Sequence, residues 1–112
     1  MGLELWITQL RKGLVELCVM ATLADGEAYG YQIVERLGNA SGLTITESTV
    51  YPLLARLGRD HLLSVRTAPS PTGPPRRYYR LTETGQQRLK DMSSHWRQMQ
   101  QSAHELLKGV SS

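Results

Sequence analysis

The stretch Thr46-Glu-Ser-Thr-Val-Tyr-Pro-Leu-Leu-Ala-Arg-Leu-Gly-Arg-Asp60 decides how the rest of the chain reads. Val50, Leu53, Leu54 and Leu57 fall at i, i+3, i+4 and i+7, so at 3.6 residues per turn they share one side of a helix. The other side carries Ser48, Pro52, Ala55 and Arg59, flanked by Thr49, Tyr51 and Arg56. With Thr46 as N-cap, Ile45 and Val50 occupy the two positions of a hydrophobic staple; the rival start, Thr44 with Glu47 as a capping box, forfeits that staple. Pro52 is out of place in a plain helix, because an interior proline removes one backbone hydrogen bond and crowds a carbonyl at a cost of ~3 kcal/mol. Taken alone, the stretch fits an amphipathic helix with a solvated polar side as well as it fits a helix whose outward side reads a partner.

Its upstream neighbour helps to choose. A short helix is predicted from about Gly30 to Ala40, burying Ile33, Leu37 and Ala40 and stopping at Ser41-Gly42. Two short helices joined by a tight glycine-containing connection, the second with a small polar outward side, make a helix-turn-helix. In that geometry the first helix crosses a DNA backbone and the second enters the major groove. Gln32, Tyr29 and Tyr31 then stand where they can donate to phosphates, although Tyr29 reads equally well as a core aromatic. Further upstream a longer helix is predicted from about Glu4 to Leu23, with Leu10, Leu14, Leu17, Cys18 and Ala21 on one stripe. Leu3, Trp6 and Ile7 precede that stripe and are expected to pack outside the domain core. Asp25-Gly26 turns the chain.

Downstream the period changes to two. Leu63, Val65 and Thr67 alternate with Ser64, Arg66 and Ala68, a half-buried strand, and Arg76 to Leu81 forms a second. Pro69-Ser-Pro-Thr-Gly-Pro-Pro75 between them is too rich in proline for regular structure and is expected to be a stiff loop at the tip of a β-hairpin wing. Thr82 is a good N-cap for a last helix, on which Leu89, Met92, Trp96, Met99, Ala103, Leu106 and Val110 recur at alternating steps of three and four. That is a coiled-coil seam on a helix too long to be covered by one small domain, so it predicts a homodimer; the competing reading is a seam that packs back on its own domain. The expected class is mainly α with an α+β wing: a winged helix-turn-helix domain over residues 1–81 and a coiled-coil-like dimerisation helix over residues 82–112.

Charge follows the same organisation. Residues 1–55 are net negative, residues 56–81 hold six arginines against Asp60 alone, and the remainder is nearly balanced, for a total of +3. Arg56, Arg59, Arg66, Arg76, Arg77 and Arg80 are the residues a phosphate-facing surface needs, since each neutralised phosphate releases condensed counterions. A single cysteine, Cys18, cannot form an internal disulfide and fits a reducing cytoplasm. Arg11 to Ala24 imitates a secretory leader, but Glu4, Glu16 and the lack of a small-x-small end argue against one. No apolar run approaches the ~20 residues of a membrane span. His61, His95 and His104 show no ligand spacing, so neither metal nor cofactor is expected. No base and nucleophile are paired and no glycine loop cradles phosphate, which speaks against an enzyme.

Three runs carry a resemblance: Tyr29-Gly-Tyr-Gln-Ile33, Ser48-Thr-Val-Tyr-Pro-Leu-Leu-Ala-Arg-Leu57 and Gly73-Pro-Pro-Arg-Arg-Tyr-Tyr-Arg-Leu-Thr-Glu-Thr-Gly85. In order and spacing they closely resemble the PadR-like transcriptional regulators, and the single C-terminal helix is similar to the small subgroup. The resemblance implies a dimeric regulator, usually a repressor, which binds an inverted repeat of double-stranded DNA and is often released by a small molecule. Ser48, Thr49 and Tyr51 match the recognition helix and Arg76 and Arg77 the wing. Together with Gln32 and Arg56 they are the expected DNA-binding residues, Ser48 and Tyr51 in the groove and the others on the backbone. Some members of the subgroup bind planar drugs between the central helices of the dimer. Trp96, with Trp6, Ile7, Leu10, Met92 and Met99, is the matching place for a planar aromatic effector, and it serves equally as plain dimer core. Gly58 to Leu62 departs from the family pattern, which usually has an acidic residue early and a glycine before the strand. The alternative function is a winged-helix module that binds protein and no DNA.

Overall fold

A computed structural model describes residues 2–40 and 42–110. The elements run α1 (Leu3–Ala21), β1 (Ala28–Tyr29), α2 (Gly30–Gly38), α3 (Glu47–Arg59), β2 (Leu63–Ser70), β3 (Gly73–Leu81) and α4 (Glu83–Leu106). The strands form one antiparallel sheet in the order β1-β3-β2. This is a winged helix-turn-helix followed by a long helix.

The apolar stripe of α3 is the centre of the core. Val50, Leu54 and Leu57 are buried against Ile33 and Leu37 of α2, Val19 and Met20 of α1, and Leu63, Tyr79 and Leu81 of the sheet. Burying such a side chain stabilises the fold by ~1.5–3 kcal/mol. Thr46 is the N-cap, and its carbonyl accepts the Val50 N–H at 3.0 Å. Ile45 is buried beside it, as the staple requires, while Thr44 sits in the left-handed region at φ 48°. The Thr46 hydroxyl bonds that of Ser48 at 2.9 Å instead of a backbone N–H. Pro52 lies exposed, so the hydrogen bond it removes falls on the outward side of the helix.

The stripe expected on α1 divides between two partners. Val19 and Met20 enter the core with Val15 and Cys18 packed against it, whereas Leu10, Leu14 and Leu17 turn toward α4 and Ala21 is exposed. Periodicity marks an apolar side without saying which neighbour covers it, and α1 has two. Helix α2 stops at Gly38 and leaves Ala40 exposed, earlier than expected, because Gly38-Asn39 are poor helix formers that end it. Ser41, half of the expected stop, lies outside the described residues.

The proline run is not a loop. Strand β2 continues through Pro69 and β3 begins at Gly73, which leaves Pro71-Thr72 as the turn. Between the pairs Ala68↔Arg76 and Ser70↔Gly73 the register shifts, so Pro74 and Pro75 stand opposite Pro69 in a bulge, where a missing N–H breaks no ladder bond. The expected half-buried alternation of β2 holds only at Leu63; Val65 and Thr67 are exposed, because the wing projects past the helices that would cover them.

The exit from α3 explains the departure at Gly58 to Leu62. His61, at φ 61°, occupies the left-handed position where glycine is usual, and the Leu62 N–H closes the helix onto the Leu57 carbonyl at 3.0 Å. The Thr82 hydroxyl donates to the His61 carbonyl at 2.7 Å and accepts from the Gly85 N–H at 2.9 Å, tying this exit to the start of α4. A Cβ on Gly85 would stand 2.0 Å from the Leu62 carbonyl oxygen, so this crossing requires glycine.

Helix α4 carries the seam from Leu89 to Leu106. Val110 falls outside it, beyond a turn through Gly109 at φ 87°, so the expected last seam position is not helical. Only the first part of the seam has cover: Leu89, Met92 and Trp96 are half-buried, whereas Met99 and Leu106 are 64% and 84% exposed and Ala103 is exposed. The radius of gyration, 16.2 Å, exceeds the ~13 Å of a compact chain of this length, because α4 projects from the domain.

Candidate nucleic-acid interface

Burial of its apolar stripe leaves Ser48, Thr49, Tyr51, Pro52, Ala55, Arg56 and Arg59 of α3 exposed. Two flanks of that surface differ. On one, Tyr51 leans over the first residue of α2: a Cβ on Gly30 would stand 2.5 Å from the Tyr51 ring. Gly30 therefore sets where the tyrosine lies. Desolvation raises the Tyr51 pKa above its ordinary value, with Glu47 adding to the effect. Tyr29, Gly30, Tyr51, Arg76 and Arg77 line a groove of about 610 Å³ between α2, α3 and the wing.

The other flank is tied to the rest of the fold. Arg56 donates to Glu16 of α1 at 2.5 Å and to Asp60 at 3.3 Å. The hydrogen bond to Glu16 is the main cause of its raised pKa. The second Glu16 oxygen lies 3.7 Å from Arg88, so one carboxylate joins α1, α3 and α4. Expected among the phosphate-facing cations, Arg56 is instead turned toward α1, because a carboxylate stands within its reach. Arg66 is similarly engaged: its Nε and Nη2 donate to the two Glu27 oxygens, at 2.8 and 2.5 Å, and the same contact lowers the Glu27 pKa.

The wing arginines behave otherwise. Adjacent residues of β3 point to opposite faces, so Arg77 shares a face with Tyr79 and Arg76 shares one with Tyr78. Arg77 is exposed and makes no ion pair among the described residues; the Arg76 guanidinium rests 4.3 Å from the centre of the Tyr29 ring. Gln32 is partly engaged as well, since its side-chain oxygen accepts the Tyr29 N–H at 3.0 Å and caps α2. Its amide NH₂ remains to donate outward. Tyr51, Arg76 and Arg77 are thus brought to one groove, with Gln32 beside it and Ser48 and Thr49 on the adjoining surface.

A second feature lies at the opposite end. Leu10, Met92, Trp96 and Met99 line an apolar cavity of about 340 Å³ between α1 and α4, closed further by Gln9, Gly13, Leu14, Leu17 and His95. Trp6, expected in its wall, is absent from the lining and is 58% exposed. It stands one turn before Leu10, beyond the part of α1 that α4 faces.

Sequence reasoning missed Glu16, Glu27, Gly30 and Gly85. The two acids looked like ordinary helix and turn residues, and their partners are 40 and 39 positions away. The glycines stood inside the quoted runs, where a glycine in a helix was itself a signal of close approach. No group of three or more metal-binding side chains occurs among the described residues, and no described helix is long and apolar enough to cross a membrane.

A helix-turn-helix with a polar exposed second helix, an arginine-bearing wing beside it and a projecting C-terminal helix define a DNA-binding regulator of the winged-helix class. The chain belongs to the PadR-like family of transcriptional regulators, whose profile matches residues 19–91. It is 37% identical to a PadR-like transcription factor from Bacteroides fragilis over 88% of this chain and 95% of that one, with a TM-score of 0.74. It is 30% identical to a PadR family regulator from Eggerthella lenta over 95% and 92% of the two chains, with a TM-score of 0.81. PadR of Bacillus subtilis, solved in complex with operator DNA, is 27% identical over 70% of this chain and 46% of that one, with a TM-score of 0.63.

Proposed function

We propose that this regulator is a repressor that binds a near-palindromic operator as a homodimer, with α3 of each copy in a major groove and the wing against the adjoining backbone. Residues 1–81 form the DNA-binding part and residues 82–112 the dimerisation part. Ser48 and Tyr51 read base edges, while Gln32, Thr49, Arg76 and Arg77 position the backbone. Arg56 contributes only when it leaves Glu16. The observation that carries this reading is the exposed polar side of α3, continuous with a groove that holds Tyr51 and two wing arginines. Such a protein works in the cytoplasm, beside the DNA it regulates.

The dimer is supported by the uncovered seam, with Leu89, Met92 and Trp96 half-buried and Met99, Ala103 and Leu106 open. Two-fold pairing of α4, with Trp6 and Leu10 of α1 at its edge, would set the recognition helices one DNA turn or a multiple apart. The apolar cavity beside Trp96 supports a small planar aromatic effector, stacked on the indole and walled by Leu10, Met92 and Met99. Footprinting on the DNA beside the protein's own gene tests the operator. Two protected half-sites about 10 bp or 20 bp apart are expected, and no protection would overturn the reading. Quenching of Trp96 fluorescence in a Trp6→Phe protein by planar aromatic compounds tests the effector, and an unchanged signal across a broad panel would refute it.

A further inference from the structure

Two arginines of the wing sheet carry aromatic contacts, and the difference in what else holds them separates their roles. Arg66 lies 4.6 Å from the centre of the Tyr78 ring, and its Nε and Nη2 donate to Glu27. Arg76 lies 4.3 Å from the centre of the Tyr29 ring and makes no ion pair among the described residues. A guanidinium stacked on a ring gives up none of its N–H groups, because they lie in its own plane and point outward from the stack. Arg76 is therefore held in place with all its donors free, whereas Arg66 has already given its Nε and one Nη2 donor to Glu27.

Tyr29 itself is fixed from several sides. Its N–H is capped by Gln32, it pairs across the strands with Tyr78, and the two rings meet edge to face at 5.6 Å. Tyr29 and Arg76 both line the groove beside Tyr51. The ring thus bridges the start of α2 and the wing and fixes a long, otherwise mobile cation beside the recognition helix. Ordering such a side chain in advance removes part of the entropic cost of binding.

We propose that Tyr29 is a positioning residue for DNA binding, whose ring holds Arg76 so that its free N–H edge meets a backbone phosphate. This rests on the DNA-binding reading above. The test measures affinity against salt for mixed-sequence duplex DNA about three turns long, using the wild-type chain, Tyr29→Phe, Tyr29→Leu, Arg76→Ala and the Tyr29→Leu/Arg76→Ala double variant, each with its thermal melt.

Phenylalanine keeps the ring, so Tyr29→Phe should match wild type in affinity and salt slope. Tyr29→Leu should lose ~3–10-fold in affinity, and its slope should fall toward that of Arg76→Ala, by up to ~0.9 for each protomer that loses a phosphate contact. The double variant should be no worse than Arg76→Ala alone, since the ring acts only through the arginine. A Tyr29→Leu slope equal to wild type, or losses that add in the double variant, would overturn the proposal while leaving DNA binding intact. Wild-type protein that binds no DNA at low salt would instead overturn the reading on which the proposal rests.

Discussion

The head around α3 and the tail formed by α4 with the first turns of α1 use apolar residues in opposite ways. In the head, Val50, Leu54, Leu57 and Ile33 are wholly buried, and the sheet closes over them through Tyr79 and Leu81. In the tail, Met99 and Leu106 are 64% and 84% exposed, although the seam they belong to has a helical period as regular as that of α3, and Trp6 of α1 is 58% exposed. The head satisfies its own pattern within one chain. The tail presents half of a pattern, and exposed apolar surface of that regularity marks an interaction site. The two regions should therefore respond to substitution by different observables: stability in the head, association in the tail.

The largest effect belongs to the junction between them. Gly85→Ala would push a methyl group into the Leu62 carbonyl, and backbone cannot yield as a side chain can. A loss of at least ~3 kcal/mol is expected in denaturant unfolding, and a wild-type midpoint would break the account of this crossing. Leu106→Asp should leave the head folded, with wild-type helical content, yet weaken self-association at least ~10-fold by burying a charge in the seam; sedimentation at several concentrations measures it. Thr82→Ala removes the cap of α4 and the anchor on His61, and should lower stability by ~1–2 kcal/mol. Glu16→Gln should cost little stability, since this ion pair is partly exposed to solvent. It should release Arg56 toward DNA and steepen the salt slope by up to ~0.9 for each phosphate gained. An unchanged slope would show that Arg56 serves only to join α3 to α1.

The same contrast explains what could be read in the sequence. The α3 stripe, its staple and the Thr82 cap were legible because each depends on neighbours within a turn. The seam was legible as a pattern, but its end was misplaced by one position, since Val110 continues the spacing after the helix has ended at Leu106. The proline run was misread because its prolines are absorbed by a bulge, a feature of register between two strands. Strand β1 was invisible, for Ala28-Tyr29 becomes a strand only by pairing with Tyr78 and Tyr79. In the candidate site, Tyr51, Arg76 and Arg77 stand out by motif and charge, and the structure brings them to one groove. That Arg56 and Arg66 are held by Glu16 and Glu27 was not, because ion pairs across 40 and 39 residues leave no local mark.

The central claim is that a self-sufficient head is made into a DNA reader by pairing of the incomplete tail. Sedimentation of the protein with a short duplex spanning its operator tests this in one measurement. The account predicts a single complex of two 12.6 kDa chains on one duplex, with no intermediate holding one chain. A stable complex of one chain with one duplex, at full affinity, would contradict it.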